Sequence, residues 1–439
     1  MRKSIISILI ITIGMLSIQC SSSTDPDQSS QSPAPPPARS PAELTAQESG
    51  ILESANKFGL NLFREIANNT PATENIFMSP LSVSYALGIC YNGANGDTRE
   101  AIGSTLQMAG LSLEEMNQAY RDVTAILTQT DPLVEFKVAN SFWSRQGKAI
   151  QPEFIDLART YFDARIEEID FQQPWAADTI NAWVDNATNG KITEMVTPAS
   201  ISGVAAILMN AIYFKGNWMF PFDTANTATS TFYLTDGGET DCQMMRLTEE
   251  EHSIQIDENS IAPDTNATWY SNDYLQAVSL PYGRGDFRMT ILAPNQWLNP
   301  DLTADDLIDS LTTENWNAWL GEFQPVGFEV WLPRFRFEYE VGLSEVLQTL
   351  GMAIAFNPGL ADFSNMFVDG VGWIDKVKQK AFVQVDEVGT EAAAVTLVIF
   401  TDSMPLHLMC NRPFLVVIHE DVSGAILFVG KIANPVWEE

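Results

Sequence analysis

The run from Glu387 to Met404 is the feature of this sequence that most constrains the fold. It lies between two segments with strand patterns, residues 381–386 and 414–419, so it must connect them at the surface. Exposed connections are usually polar and rich in turn-forming residues. Residues 392–400, however, are small and then apolar, with no Pro or Gly, which is the composition of a strand. The fold must therefore offer a place that can receive this segment.

The same run has two distinguishable faces. A segment from Thr390 to Thr401 would span roughly 40 Å as a strand, at about 3.3 Å per residue. Because side chains alternate along a strand, one face would hold Thr390, Ala392, Ala394, Thr396, Val398 and Phe400, and the other Glu391, Ala393, Val395, Leu397, Ile399 and Thr401. We expect the uncharged face to point inward, since a slip of one residue would bury Glu391. The small side chains of Ala392, Ala393 and Ala394 would leave room for insertion to begin.

The first twenty residues predict secretion. A short basic start is followed by an apolar run over residues 5–18, which is too short for a comfortable membrane-spanning helix and fits a signal-peptide core. Cys20 and the three serines after it have the form of a bacterial lipoprotein cleavage site, although Gln19 replaces the usual small residue. We predict lipidation at Cys20; cleavage nearby without lipidation and an uncleaved anchor are the alternatives. The expected location is the outer membrane or cell surface, otherwise the periplasm or the extracellular space.

Residues 21–50 predict a flexible tether. They are rich in Ser, Pro, Ala and Gln and contain few large apolar side chains, so they cannot bury enough surface to offset the entropy cost of ordering. From about Ile51 to Pro435 the chain then continues without a second linker. Helical patterns come first and strand patterns dominate later, which favours an α+β fold over an alternating α/β fold.

The periodicity of apolar residues predicts both kinds of element. Helices are predicted over residues 51–68, 80–92, 98–106, 112–128, 152–161 and 176–187. Strands are predicted over residues 134–143, 204–214, 276–281, 288–292, 327–333, 381–386, 414–419 and 425–430. The last two should form a hairpin, because residues 420–424 are turn-forming. The segment from Asp97 to Glu100 has the form of a helix capping box.

Charge and cysteine content narrow the partners. The net charge of −32 disfavours nucleic acid and anionic membrane surfaces, so membrane contact is expected only through the N-terminal anchor. After Cys20 only Cys90, Cys242 and Cys410 remain. This number is odd and small, so a disulfide framework is not predicted. One disulfide between two of the three cysteines is the alternative.

The sequence offers no catalytic signature. Its three histidines, His252, His407 and His419, are isolated and lack metal-binding spacing, and neither a GxSxG elbow nor a phosphate-binding loop is present. Paired carboxylates carry little information among 56 acidic residues. We therefore predict no catalytic residue, no metal and no cofactor, and a protein that is not an enzyme.

Five segments, in order along the chain, resemble the serpin family of protease inhibitors. They are residues 75–87 (NIFMSPLSVSYAL), 181–196 (NAWVDNATNGKITEMV), 208–222 (LMNAIYFKGNWMFPF), 385–394 (VDEVGTEAAA) and 411–414 (NRPF). The resemblance implies a fold of three β-sheets with about eight or nine helices over residues 51–439, and an exposed reactive-centre loop at about residues 387–410. It also implies a monomer that forms a covalent 1:1 complex with a target serine protease, with cysteine proteases as a second class.

The resemblance implies a mechanism in which the protease serine attacks the loop and the cleaved loop inserts into the main sheet. The hinge of the loop would be Glu387, Gly389, Thr390, Glu391 and Ala392–Ala394. Counting seventeen residues from Glu387 places the cleaved bond at Ser403-Met404. Counting back from residues 411–413 favours Asp402-Ser403 instead. No Lys or Arg lies between Glu391 and Asn411, so an elastase-like or chymotrypsin-like target is preferred, and an Asp-specific protease is the alternative.

Further residues match family positions that control opening of the sheet: Ser79, Ser82, Asn210, Trp218 and Gln379. Gln379 stands where many serpins carry His. Each position also has a structural interpretation, since Ser79 and Ser82 can simply cap the helix that begins at Pro80. Two rival functions remain open. One is a non-inhibitory serpin-fold surface binding protein, and the other is a lipoprotein that only displays a flexible loop.

Overall fold

The computed structural model describes residues 44–108, 110–252, 267–389 and 406–438. The α-helices are α1 (Ala46–Asn68), α2 (Pro80–Gly93), α3 (Gly96–Thr105), α4 (Leu113–Gln129), α5 (Pro152–Phe162), α6 (Trp175–Ala187), α7 (Pro198–Ile201), α8 (Glu249–His252), α9 (Ala304–Ser310), α10 (Thr313–Leu320) and α11 (Ser344–Leu347). Eight of these described helices have seven or more residues. The six helices predicted from periodicity are all confirmed, and five of them agree to within two residues at each end. Helix α1 begins at Ala46, five residues earlier than predicted, so residues 46–50 are helical and do not belong to the predicted tether.

The described strands are β1 (Ile76–Met78), β2 (Val134–Arg145), β3 (Arg165–Ile169), β4 (Ala206–Gly216), β5 (Ala228–Tyr233), β6 (Glu239–Leu247), β7 (Thr268–Ser271), β8 (Leu275–Tyr282), β9 (Phe287–Pro294), β10 (Phe328–Pro333), β11 (Phe335–Gly342), β12 (Lys378–Val385), β13 (Leu406–Met409), β14 (Phe414–Glu420) and β15 (Ile426–Ile432). Each predicted strand corresponds to one of them. The predicted hairpin of β14 and β15 is also confirmed.

Two helices near the start of the fold show how local sequence sets an element. Thr45 and Glu48 form a capping box at α1, in which the Thr45 hydroxyl accepts from the Glu48 N–H at 3.2 Å and the Glu48 carboxylate accepts from the Thr45 N–H at 2.6 Å. At α2 the Ser79 hydroxyl accepts from the Ser82 N–H at 3.2 Å. Pro80 then occupies the first helical position, where its missing N–H costs nothing. Most of α2 is buried, so it is the central helix of the domain.

The predicted capping box at Asp97 is wrong. Helix α3 begins at Gly96, with Asn95 as its N-cap residue and no side-chain cap hydrogen bond. A tertiary contact sets this start, because the Asn95 N–H donates to the Asp362 carbonyl at 2.9 Å. The Thr98 hydroxyl, in turn, accepts from the Asp362 N–H at 2.9 Å.

The described strands form four hydrogen-bonded groups. A six-stranded sheet has the order β1-β15-β14-β9-β8-β7, and a four-stranded sheet has the order β13-β10-β6-β5. The other two groups are β3-β2-β4 and the pair β11-β12. Three sheets were expected, and the fourth group arises because β4 and β12 have no ladder between them. We call these last two groups together the main sheet. It is divided into a three-stranded part, β3-β2-β4, and a two-stranded part, β11-β12.

The core lies between these sheets and the helices. Strands β14 and β15 are buried at every residue, as expected for strands covered on both faces. A separate apolar cluster that includes Trp143, Ile180 and Met209 joins α6 to β2 and β4. Cys90, Cys242 and Cys410 are free thiols. Among the described residues, no helix combines the length and the apolar character needed to cross a membrane.

Candidate functional site

The division of the main sheet creates a gap between β4 and β12. Strand β4 pairs with β2 on one side and β12 pairs with β11 on one side. Within the described residues neither strand has a ladder on the side that faces the other. Residues of both strands line two cavities, of about 120 Å³ and about 30 Å³. We call this space the inter-strand gap.

Trp218 lies at the end of β4 and lines the larger cavity. Its indole N–H donates to the Asp386 carbonyl at 2.9 Å, and its backbone N–H donates to the Val388 carbonyl at 3.1 Å. The indole also stacks on Tyr282, with ring centroids 4.3 Å apart. Trp218 therefore fixes the segment that follows β12 to the end of β4.

Gly389 is packed directly against the same backbone. Its φ is +74°, a conformation that favours glycine. A Cβ atom at this position would lie 2.5 Å from the Trp218 nitrogen and 2.6 Å from the Gly216 carbonyl oxygen. No other residue type fits here without moving the backbone. The last described residue before the connection to β13 is thus held at one end of the gap.

Glu387 is a buried carboxylate beside this contact. It is 1% exposed. Its Oε1 accepts from the Thr227 hydroxyl at 2.6 Å, and its Oε2 accepts from the Arg334 Nε at 2.6 Å and pairs with a second guanidinium nitrogen. The Glu387 carbonyl accepts from the Phe222 N–H at 2.8 Å. A buried charge is stable only when it is paired and hydrogen-bonded, and these interactions hold the segment that follows β12 in place.

Ser79, Ser82, Asn210 and Gln379 all line the smaller cavity. The alternating burial of β12 places Gln379 on its inner face. Its amide Nε2 donates to the Ser79 carbonyl at 2.8 Å, and its Oε1 accepts from the Ser79 N–H at 3.2 Å. Gln379 thus joins β12 to the start of the central helix α2 through two hydrogen bonds, both formed by a neutral group.

On the opposite wall, Asn210 of β4 bonds to β2. Its Nδ2 donates to Asn140 Oδ1 at 2.8 Å, and Asn140 Nδ2 donates to the Phe162 carbonyl at 2.8 Å. In the described part of the chain, the buried Oδ1 of Asn210 has no hydrogen-bond partner.

The segment after α6 crosses in front of the gap. Lys191 lies over the Phe382 ring of β12, with its Nζ 5.2 Å from the ring centroid. The Lys380 ammonium donates to the Glu194 carbonyl at 3.2 Å. On the other side, the Asn189 amide donates to Glu135 of β2 at 3.1 Å. Contacts of this segment thus bridge the two parts of the sheet on one face.

The structure brings Ser79, Ser82, Asn210 and Gln379 together at one cavity and Trp218 and Gly389 at the other, with Glu387 beside them. Thr390, Glu391, Ala392, Ala393, Ala394, Asp402, Ser403, Met404 and Cys20 lie outside the described residues. Sequence reasoning missed Arg334 and Thr227, which bind Glu387. No local pattern marks these two residues, because only the tertiary fold brings them to the hinge.

The histidines lie away from the gap. His252 stacks on Phe328, whose carbonyl is 2.7 Å from its Nε2. His407 makes near-perpendicular ring contacts with Trp297 and Trp331. His419 is fully buried in β14, with its Nε2 2.9 Å from the Thr290 hydroxyl. The described residues contain no cluster of three or more metal-ligand side chains.

An α+β fold whose main sheet is open between two strands, with a tightly packed glycine beside the opening, is the architecture of a serpin-type protein. The family model described as "Serpin (serine protease inhibitor)" matches residues 53–435, and the chain belongs to the serpin family. Mouse neuroserpin is 31% identical over 87% of this chain and 91% of its own length. Human leukocyte elastase inhibitor is 31% identical over 88% and 99%. Human kallistatin has a similar structure, with a TM-score of 0.76 at 25% identity over 90% of this chain and all of its own.

Proposed function

We propose that this chain is a single-use inhibitor of serine-type endopeptidases that inserts its cleaved loop into the inter-strand gap. The observation that carries the proposal is the position of Gly389. The chain leaves the end of β12 there, against Trp218, and the residues that follow have strand composition. A strand that folds back from Gly389 between β4 and β12 would gain ladder partners on both sides.

The chemistry follows from the order of events. The protease serine attacks the carbonyl of Ser403, or of Asp402 in the alternative register, and its Oγ forms an ester with the loop. The peptide C–N bond breaks and the leaving amine takes a proton, so the loop is free at one end. Insertion then carries the attached protease away from its original docking position. Because catalysis tolerates little displacement, water does not complete hydrolysis and the ester persists.

The free energy available is large. About a dozen inserted residues would gain hydrogen bonds on both sides, each worth roughly 0.5–1.5 kcal/mol net, which gives on the order of 10 kcal/mol. This is comparable with the stability of a whole domain. In the uncleaved protein, the contacts of Trp218, Glu387 and Gln379 oppose opening of the gap.

The preferred target is an elastase-like or chymotrypsin-like protease, with an Asp-specific protease as the alternative. The absence of Lys and Arg between Glu391 and Asn411 argues against a trypsin-like target. The similarity to leukocyte elastase inhibitor supports the preference. The cysteine proteases are a second possible class of target.

We also propose that the inhibitor acts outside the cell as a monomer. Residues 1–20 would direct secretion, Cys20 would carry a lipid, and the residues between Cys20 and α1 would tether the folded domain. Labelling of Cys20 by a fatty-acid analogue in a bacterial host, with Cys20→Ala as the control, tests this arrangement. Label that is equal in both proteins would contradict it.

The central test is incubation of the full chain with elastase, chymotrypsin and trypsin, followed by denaturing electrophoresis. We expect a denaturant-resistant 1:1 adduct with elastase or chymotrypsin and none with trypsin. In parallel, limited cleavage between Gly389 and Leu406 should raise the unfolding temperature steeply. Cleavage without adduct and without this rise would support the non-inhibitory binding protein instead.

A further inference from the structure

The segment that follows β15 extends the main sheet at its outer edge. The Arg336 N–H donates to the Val436 carbonyl at 2.8 Å, and the Glu438 N–H donates to the Arg336 carbonyl at 2.9 Å. Arg336 and Trp437 thereby form a parallel bridge beside β11. Glu438 also accepts from the Glu338 N–H at 3.1 Å. This short segment is therefore held in register and does not lie loosely on the surface.

The register places Trp437 against the side chain that binds the hinge. The Arg334 guanidinium lies over the Trp437 ring, 5.6 Å from its centroid. The same guanidinium binds the buried carboxylate of Glu387. The backbone of Arg334 is also held in place, since its N–H donates to the Gln243 carbonyl at 2.8 Å. Its side chain thus spans the space between Trp437 and Glu387.

The exposed fractions of Arg334 and Glu387 explain why the Trp437 ring matters for this ion pair. The Glu387 side chain is 2% exposed, whereas that of Arg334 is 34% exposed. Water therefore reaches part of the Arg334 side chain but not the Glu387 carboxylate. An aromatic face attracts a guanidinium and shields it from water, which strengthens its remaining electrostatic contacts. Trp437 is itself 42% exposed.

We propose that Trp437 is a positioning residue for the hinge: it holds Arg334 against Glu387 and thereby slows release of the loop in the uncleaved protein. Among the described residues, Trp437 lines neither cavity of the inter-strand gap. It acts through Arg334, so the effect should require the charge of Glu387. This role rests on the proposed insertion mechanism, although the coupling between Trp437 and Glu387 does not.

The test compares Trp437→Ala with the conservative Trp437→Phe in the full chain. Trp297→Ala is the matched control, because Trp297 is another exposed tryptophan (77%) and contacts His407 instead. The first measurement is the rate at which uncleaved protein, held at raised temperature, converts to a form that resists urea. We expect Trp437→Ala to raise this conversion rate about two- to fivefold. The conversion rate of Trp437→Phe should stay close to that of the wild type, and Trp297→Ala should not change it. In a Glu387→Gln background, Trp437→Ala should add nothing.

The second measurement is the equilibrium constant for urea unfolding of the same proteins, which does not require insertion. If Trp437→Ala changes this equilibrium constant two- to fivefold, and the change disappears in the Glu387→Gln background, the role of Trp437 is supported. This holds even if none of the proteins inserts its loop. Failure to insert would count only against the proposed function. An effect of equal size in both backgrounds, or no effect in either, would overturn the role of Trp437 whether or not the protein inhibits a protease.

Discussion

Gln379 and Ser79 are joined by two hydrogen bonds that cross from β12 to the start of α2, one in each direction between the side-chain amide and the backbone. Both residues are buried. Replacing Gln379 with Ala would leave the buried Ser79 N–H without this partner, at about 1–3 kcal/mol, and would remove one hydrogen bond to the Ser79 carbonyl, at about 1 kcal/mol. The carbonyl would keep its bond from the Val83 N–H at 3.4 Å. We expect Gln379→Ala to lower the free energy of unfolding of the uncleaved protein by about 3 kcal/mol, measured in urea.

The control for this change is Gln243→Ala. Gln243 is an exposed glutamine of β6 that bonds to Thr229 at 3.0 Å, and its replacement should cost no more than about 0.5 kcal/mol. If the two variants lost the same stability, the contact between Gln379 and Ser79 would not hold β12 to α2.

The packing of Gly389 predicts an unusually large effect of one methyl group. Gly389→Ala adds a Cβ that overlaps the Trp218 nitrogen at 2.5 Å. Gly424→Ala is the matched control, because Gly424 has φ of +70° and no atom within 4 Å of the same Cβ position. The control should cost about 1 kcal/mol from backbone strain, and Gly389→Ala about 1–3 kcal/mol more from overlap. Thermal unfolding of both uncleaved proteins measures the difference, and equal losses would show that the hinge does not pack this closely in solution.

His419 predicts acid sensitivity of the folded state. Burial, and then the nearby charge of Arg288, lower the pKa of His419 to about 3, whereas in the unfolded chain it is about 6.5. The unfolded state therefore binds a proton between these values and the folded state does not, so stability falls as the pH decreases from about 6.5 toward 3. Relative to His419→Gln, the wild type should lose about 2–3 kcal/mol of unfolding free energy between pH 7.5 and 4.5.

Urea titrations of both proteins at several pH values measure this loss, because contributions from the carboxylates cancel in the difference. A difference between wild type and His419→Gln that does not change with pH would mean that folding leaves the pKa of His419 unchanged, so that burial does not disfavour its protonated form.

Much of the fold follows from periodicity, because long amphipathic or apolar runs have few other ways to bury their surface. The missed strands show where this reasoning stops. β11 alternates clearly in sequence, with Phe335 and Phe337 buried, so its signal was present. β3 has only five residues and only one that is buried, and a segment this short carries no distinctive pattern.

The site was predictable only in part, and only through its resemblance to a family. Sequence places Gln379 on a strand, but its bonds to Ser79 join residues 300 positions apart. Likewise, Glu387 is bound by Arg334, which lies between β10 and β11, and by Thr227, which directly precedes β5. Both residues are far from Glu387 in sequence. Such pairs depend on how the elements pack, and no local propensity records them.

The alternation of the loop predicts that two neighbouring substitutions will act differently. If residues after Gly389 insert as a strand with Thr390, Ala392 and Ala394 inward, an arginine at position 392 must be buried in the gap, where an unpaired charge is very costly. An arginine at position 393 would lie on the face that carries Glu391 and would stay in water.

We therefore expect Ala392→Arg to convert the inhibitor into a substrate. The loop would still be cleaved, but no denaturant-resistant adduct would form and cleavage would not raise the unfolding temperature. Ala393→Arg should retain both the adduct and the rise. Electrophoresis and thermal unfolding of the two cleaved variants test which face of the segment is buried. The two variants carry the same new side chain and differ only by one position in the chain. Equal behaviour of the two would mean that the segment does not insert in this register, since any β-strand places neighbouring side chains on opposite faces.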